Sequence, residues 1–344
     1  MNAELAQYEA LAKELFQRIM ADVDPADLHE WLTRKIAHLG GGDDSAALLW
    51  AESFDWYDAL LAKRDALALL PISERKLVDW PWASWNALID PMEPGMLASI
   101  AAPDGQGKTI VVECLAEHWA SRKLKVVFVH YELNRALMLD RRTARHTSIP
   151  VRTLKSGMMT PEQRAIVKQV RPRLLAWEGE ITYLHTPGWT MERTVAELSK
   201  LNADGQCDVA VIDYLEKVSP SARQVALYGQ QVWMRQADDV ERLKNFAESV
   251  EIPVVMVAQM KKSGKDETWQ RMDRNDIGGS AAKSDKANLV VILKRDREEN
   301  DGSYSRTIHV QIDKNTMGAT GAFDQYMQPE FFRLADIYQE GQPQ

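Results

Sequence analysis

The sequence predicts an α/β fold: a mostly parallel, twisted sheet flanked by helices, with a small helical region before it. Three observations lead there. From residue 76 onward, short apolar runs alternate with amphipathic stretches, the pattern of a parallel sheet covered on both faces. A glycine-rich turn closes the first run and opens a helix. Later runs end in polar or acidic residues, at the strand ends where ligands of such sheets bind.

Residues 1–75 read as helical. Leu5, Tyr8, Ala12, Leu15 and Ile19 recur at helical spacing. "DPADLHEWLTRKIAHLG" is a second helix, with Asp24 as cap, Pro25 in its first turn and Gly40 at its end. "SAALLWAESFDWYDALLAKRDALALL" is a third helix or a bent pair. No catalytic motif falls here, and a small bundle or packing arm is the expectation. Residues 76–338 form the second region, and 339–344 a tail. Its expected strands are 96–102, 125–131, 181–185, 207–214, 252–259, 288–295 and 307–313. Helices are expected over 108–122, 135–146, 161–177 and 191–202.

Composition narrows the function classes. A 45% hydrophobic, 27% charged chain of 344 residues is ordinary for a globular protein. No apolar run is long enough to cross a membrane. The N-terminus mixes acids into its apolar residues, unlike a signal peptide. Cys114 and Cys207 suggest neither a disulfide framework nor a zinc site, so a reducing cytoplasm is expected. The net charge of −8 argues against a non-specific DNA coat but leaves room for a local basic patch. Trp80, Trp82 and Trp85 are expected to pack rather than to stack on bases.

The chemistry sits at strand ends. In "AAPDGQGKTI", Ala102, Pro103, Asp104, Gly105, Gln106, Gly107, Lys108, Thr109 and Ile110 form a turn into a helix N-terminus, whose amides and dipole suit phosphate. Lys108 would reach the β- and γ-phosphates, and Thr109 would hold Mg²⁺. The strict pattern has a further glycine where this chain has Ala102, so the loop alone is also compatible with an ordinary Gly-Lys-Thr turn. "CDVAVIDY" supplies a second piece: a buried strand ending in Asp213, which would organise Mg²⁺. Glu132, after the strand that follows the P-loop helix, is expected beside the loop, either activating water or as a surface acid. Gln259 ends another strand as a γ-phosphate sensor or a solvated amide.

In this order the segments resemble the RecA-like ATPase domain of DnaB-type replicative helicases, over about residues 80–325. "AAPDGQGKT" resembles the family's Walker A, "HYELNRALMLDRR" the segment with its catalytic glutamate, and "VAVIDYLEKV" its Walker B. "IPVVMVAQMKKS" resembles its sensor strand, and "DIGGSAAKSDKANLVVILKRD" and "IDKNTMGATG" its last motifs. The resemblance implies a RecA-like fold, ATP and Mg²⁺ as cofactors, and a homo-hexameric ring on single-stranded DNA with replication partner proteins. It implies catalytic roles for Glu132, Lys108, Gln259 and Lys314, the last entering a neighbour's ATP site. It also implies DNA-facing loops at "KVSPSARQVALYGQ", with Arg223, and at "KKSGKDETWQRMDRN", with Lys261, Lys262, Lys265, Arg271 and Arg274. Lys and Arg on a loop can track a phosphate backbone, although a solvated charged loop reads the same way.

Two departures bear on activity. Thr316 stands where the family carries its arginine finger, and Gly278 where it usually has another arginine. A trans arginine is worth on the order of 10³–10⁵ in rate. Its loss implies weak hydrolysis, or a finger supplied by Arg295, Arg297 or Arg306. The 75 residues before the ATPase region suggest a shortened member of the family. The expected function is therefore a helicase-like motor. The alternatives are an ATP-dependent DNA clamp, loader or recombination-type ATPase with weak hydrolysis, or a monomeric ATPase without a nucleic-acid role.

Overall fold

A computed structural model of the chain describes residues 50–70 and 77–337 except 133, 178, 261–272, 278–281 and 299–301, with scattered helical positions between 11 and 32. The chain divides into two compact units, Met1–Lys76 and Leu77–Gln344. In the first, helix α1 spans Trp50–Leu69. The helices expected over 5–19 and 24–40 lie largely outside the described residues. Between them, Arg18 stacks 4.5 Å over the Trp31 ring.

Among the described residues, the second unit is built on one nine-stranded sheet. Its strands are β1 (Leu97–Ala102), β2 (Lys125–His130), β3 (Glu180–His185), β4 (Val209–Asp213), β5 (Val254–Gln259), β6 (Leu289–Lys294), β7 (Thr307–Asn315), β8 (Gly321–Gln328) and β9 (Arg333–Asp336). The order is β3-β2-β4-β5-β1-β6-β7-β8-β9. The strands from β3 to β6 in that order run parallel, and the last three pair antiparallel. The helices are α2 (Ala83–Asn86), α3 (Lys108–Ser121), α4 (Arg135–Thr147), α5 (Val151–Ser156), α6 (Pro161–Leu175), α7 (Met191–Ala203), α8 (Ala222–Tyr228), α9 (Val232–Val250) and α10 (Ala282–Asp285).

The central strands are apolar on both faces because both are covered. β1 and β4 are buried at every position. One core joins α3 (Val111, Leu115, Trp119) to Ile100, Phe128, Val211 and Val257. The other joins α7 and α9 (Leu198, Leu243, Phe246) to Ala101, Val129, Ile212 and Met256. The three tryptophans belong to the first core, and each indole N–H has an acceptor: Trp80 to Asp90 O, Trp82 to Leu334 O, and Trp85 to Gln325 Oε1 at 2.9 Å. They pack the segment before β1 against β8 and β9. The parallel arrangement brings Ala102, His130, His185, Asp213 and Gln259 to one edge. Ala102 is in register with Gln259, and His130 with both His185 and Asp213.

Candidate functional site

β1 ends at Ala102 and the chain turns through Pro103–Gly107 into α3. Gly105 and Gly107 adopt φ of +74° and +98°. A Cβ on Gly107 would meet Met327 Cε at 2.3 Å, and one on Gly105 the Tyr304 ring at 3.3 Å. Glycine is therefore favoured by the conformation, and the Met327 and Tyr304 side chains would have to shift to admit a Cβ. Gln106 is buried and its side-chain oxygen accepts the Arg295 backbone N–H. The amides of Lys108, Thr109 and Ile110 open α3, where no intrahelical acceptor exists and the helix dipole favours an anion. Lys108 Nζ donates to Ala102 O at 2.7 Å and to Pro103 O at 3.2 Å, with Asp104 Oδ1 3.8 Å away. Burial pulls the lysine's pKa down, and Asp104, Glu216 and Asp213 oppose that.

Asp213, at the tip of β4, is 4% exposed, and its Oδ1 has no hydrogen-bond partner. Thr109 lies close to this carboxyl group, and burial raises the carboxyl pKa to about 7. The Asp213–Tyr214 peptide bond is cis. A buried carboxylate with one bare oxygen, near a hydroxyl at the start of a helix that follows a glycine-bearing turn, is a donor set for a hard divalent cation carrying water beside phosphate. The residues present fit Mg²⁺ and a nucleotide.

Gln259 joins this edge directly. Its Nε2 donates to Asp104 Oδ2 at 2.7 Å, and its backbone N–H to Glu216 Oε1 at 2.8 Å. Glu216 and Lys283 were not anticipated from the sequence. Lys283 Nζ, fully buried on α10, lies 2.6 Å from Glu216 Oε1, and both charges act on Lys108. The unusual residue type was the available signal: a lysine at helical start among small residues ahead of an apolar strand.

Other expectations need correction. The strand that precedes Glu132 is not a neighbour of β1, because β4 and β5 lie between β2 and β1. The exposed Glu132 carboxylate pairs with Lys217 at 3.3 Å. A parallel sheet need not set sequential strands side by side, and here the chain crosses two positions. The segment with Arg223 is not an open loop. Ser221 and Gln224 form a reciprocal capping box that starts α8, and Arg223 lies 3.9 Å from Asp238. Arg274 sits in a 3₁₀ turn, its Nε 3.5 Å from Asp313. Lys261, Lys262, Lys265, Arg271 and Gly278 lie outside the described residues. Lys314 Nζ donates to the Ser284 and Asp285 carbonyls at 3.1 and 2.8 Å. Arg295 is 6% exposed and donates to Tyr304 O and Ser305 O, and Arg306 holds Glu330 through both carboxylate oxygens. Both are engaged within their own chain. Arg297, which donates to Gly302 O, remains at the surface.

The pair His130 and His185 completes the strand-end row. Their rings stack at 5.2 Å and 18°. Burial, then the neighbouring His185 and Arg141, lower the His130 pKa to about 4. Beneath this row lies a dense ion network on α3 and α4: Arg145 contacts Glu113 and Glu117, Arg141 donates to Glu113 at 3.0 Å, and His146 lies 2.7 Å from Glu117.

Residues 82–336 match the DnaB-like helicase C-terminal domain. The replicative DNA helicase DnaB of Geobacillus stearothermophilus is 24% identical over 244 residues, covering 70% of this chain and 52% of that protein. The chain spans about half the length of the curated relatives it matches. The structure of the ATPase domain of G40P superposes with a TM-score of 0.69 at 16% identity, over 82% of this chain and 98% of that one. A DnaB-like replicative helicase, solved in a study of its interactions with primase, gives 0.74 at 14% identity, over 97% of this chain and 76% of that one. Among the described residues, no helix is long and apolar enough to cross a membrane.

Proposed function

Because the chain belongs to the DnaB-like helicase C-terminal domain family, we propose that it is an ATP-driven motor that moves along single-stranded DNA during replication, assembled as a hexameric ring and working with replication partner proteins. The observation that carries the reading is the bare Oδ1 of Asp213 beside the Thr109 hydroxyl at the mouth of a glycine-bearing turn. Residues 102–110 cradle the phosphates of ATP, and Lys108 exchanges the loop's own carbonyls for phosphate oxygens. Thr109 and Asp213 would hold Mg²⁺, which would supply neutralisation of charge on the phosphates. Glu132 releases Lys217 and orients the attacking water by accepting its hydrogen bond. Gln259 touches both the P-loop acid Asp104 and, through Glu216, the segment after β4, so a change at the phosphates reaches the elements that follow β4 and β5. Those elements carry Arg223, Lys261, Lys262, Lys265, Arg271 and Arg274, which grip the DNA backbone. Lys314 enters the adjoining subunit's site.

A second reading has one observation in its favour: Thr316 where a finger is expected, with Arg295 and Arg306 committed to partners in their own chain. In that reading ATP assembles a DNA clamp or loader and hydrolysis is slow. The test is the ATPase rate with and without single-stranded DNA, for the wild type and Lys108→Ala. The motor predicts strong DNA stimulation that the substitution abolishes. No stimulation, together with no DNA binding in a non-hydrolysable analogue at low salt, refutes both DNA readings.

A further inference from the structure

His130 ends β2 directly opposite Asp213 of β4. Alternate residues of the two strands, Val126 and Phe128 with Val209 and Val211, belong to the core beneath α3. His130 and Asp213 continue that alternation, so both side chains project from the α3 face, on backbones about 5 Å apart. His130 is 1% exposed, yet its Nδ1 has no hydrogen-bond partner, and neither has Asp213 Oδ1. A buried ring nitrogen without a partner is costly, since the desolvation of a polar group goes uncompensated. The ring itself is held firmly: it stacks on His185 and lies edge-on to Phe128 and Tyr183, with centroids at 6.2 and 6.5 Å. A packing role alone needs the ring but not its nitrogen. Two orphaned polar atoms on opposed positions of adjacent strands, next to the Thr109 contact, mark a place where a polar group belongs between them.

We propose that His130 is a positioning residue of the nucleotide site: its Nδ1 accepts a hydrogen bond from a water of the divalent cation held at Asp213 and Thr109, fixing that water against Asp213 Oδ1. This rests on the nucleotide site proposed above and adds a residue to it. A cation-bound water is a strong donor, which suits Nδ1 as acceptor in the tautomer that carries its hydrogen on Nε2.

The test compares His130→Asn with His130→Leu in the full chain. The two replacements have nearly the same shape, and only Asn offers an acceptor near the position of Nδ1. Binding of a fluorescent ATP analogue is titrated against Mg²⁺, with thermal melting as a check on folding. The Leu variant is expected to raise the Mg²⁺ concentration for half-maximal binding roughly five- to tenfold, the effect of one lost hydrogen bond. Its residual binding in EDTA should match that of the wild type, and the Asn variant should stay within about twofold of wild type. Equal Mg²⁺ dependence in the Asn and Leu variants, or no change in either, overturns the proposal and leaves the nucleotide site standing. Wild-type binding that is insensitive to both Mg²⁺ and Lys108→Ala overturns the site and the proposal together.

Discussion

Replacing Lys283 by methionine isolates the buried pair that joins α10, the segment after β4 and the end of β5. Lys283 has no exposed side-chain surface, and its Nζ lies 2.6 Å from Glu216 Oε1, which also accepts the Gln259 N–H at 2.8 Å. Methionine keeps the length of the chain and deletes the charge, leaving the carboxylate with a lone backbone donor from that set. Breaking a buried pair from one side costs about 3–5 kcal/mol. The Glu216 side chain retains 17% exposure, so water compensates part of the loss and about 3 kcal/mol is expected. Glu216→Gln removes the carboxylate from Lys283, and its cost is limited by the ease with which a buried lysine releases its proton. The double variant Glu216→Gln/Lys283→Met removes both charges and should lie within about 1 kcal/mol of the wild type. Urea unfolding of the four proteins, followed by far-ultraviolet circular dichroism, measures the cycle. A coupling energy of at least about 2 kcal/mol is expected. If the single losses simply add in the double variant, the pair is not a unit and the link from Gln259 to α10 fails with it.

Asp239 is 4% exposed, accepts the Gln224 amide at 2.7 Å, and is raised by burial to about 7. Its folded pKa lies above the unfolded value, so the native state keeps a proton that the unfolded chain releases. Its contribution to stability is greatest below about pH 4 and declines as the pH rises to about 7. Asp239→Asn should therefore gain on the wild type from nothing near pH 4 to on the order of 2–4 kcal/mol above pH 7, read from urea midpoints across that range. A pH-independent difference refutes this. Gly107→Ala places a Cβ at φ +98° against the tip of Met327. Since that tip can turn aside, the loss should be set by backbone strain, about 1–3 kcal/mol in thermal or urea unfolding. Thr316→Arg should raise the ATPase rate of the assembled protein at least about tenfold, because Arg295 and Arg306 already serve their own chain; an unchanged rate in an intact ring points to a finger at another position.

The parallel half of the fold was readable because each strand is apolar on both faces and flanked by a polar end or a helix period. Every strand expected from β1 to β7 is present to within two residues at either end. β8 escaped because its buried positions are Gln325 and Met327, so a polar residue interrupts the alternation that would have marked it. Gln325 is tolerated there because Trp85 donates to it and it donates to Asp336. β9 is four residues long, too short to carry a period. α9 went unstated although Val240, Leu243, Phe246 and Ala247 show its buried face at helical spacing. The P-loop, Asp213 and Gln259 were legible because each sits where an apolar run stops. That β2 and β1 are not neighbours was not legible, because the run of the sequence carries no information on which strands pair.

Buried polar groups are paired densely on the P-loop helix and its neighbour. On α3 and α4, Glu113, Glu117, Arg141, Arg145 and His146 are matched to one another, and Arg145 also reaches Phe332 O. These ion pairs fix the P-loop helix against α4, although Arg141 Nε and Arg142 Nε are buried there without a hydrogen-bond partner. At the carboxyl edge of the sheet a row of such atoms gathers at one place. His130 Nδ1, Asp213 Oδ1 and Glu216 Oε2 are each buried without a partner, on or just beyond neighbouring strands. Folding alone gives no reason to retain unpaired polar atoms in a row, since apolar residues at those positions would be at least as stable. A ligand that supplies their missing hydrogen bonds does give one, and its binding would be favoured by the desolvation cost it relieves. The same argument predicts that replacing a matched group such as Glu117 by Gln lowers stability without altering the Mg²⁺ dependence of nucleotide binding, whereas His130→Leu alters that dependence with the fold intact. Glu117→Gln shifting the Mg²⁺ titration as far as His130→Leu does would erase the distinction.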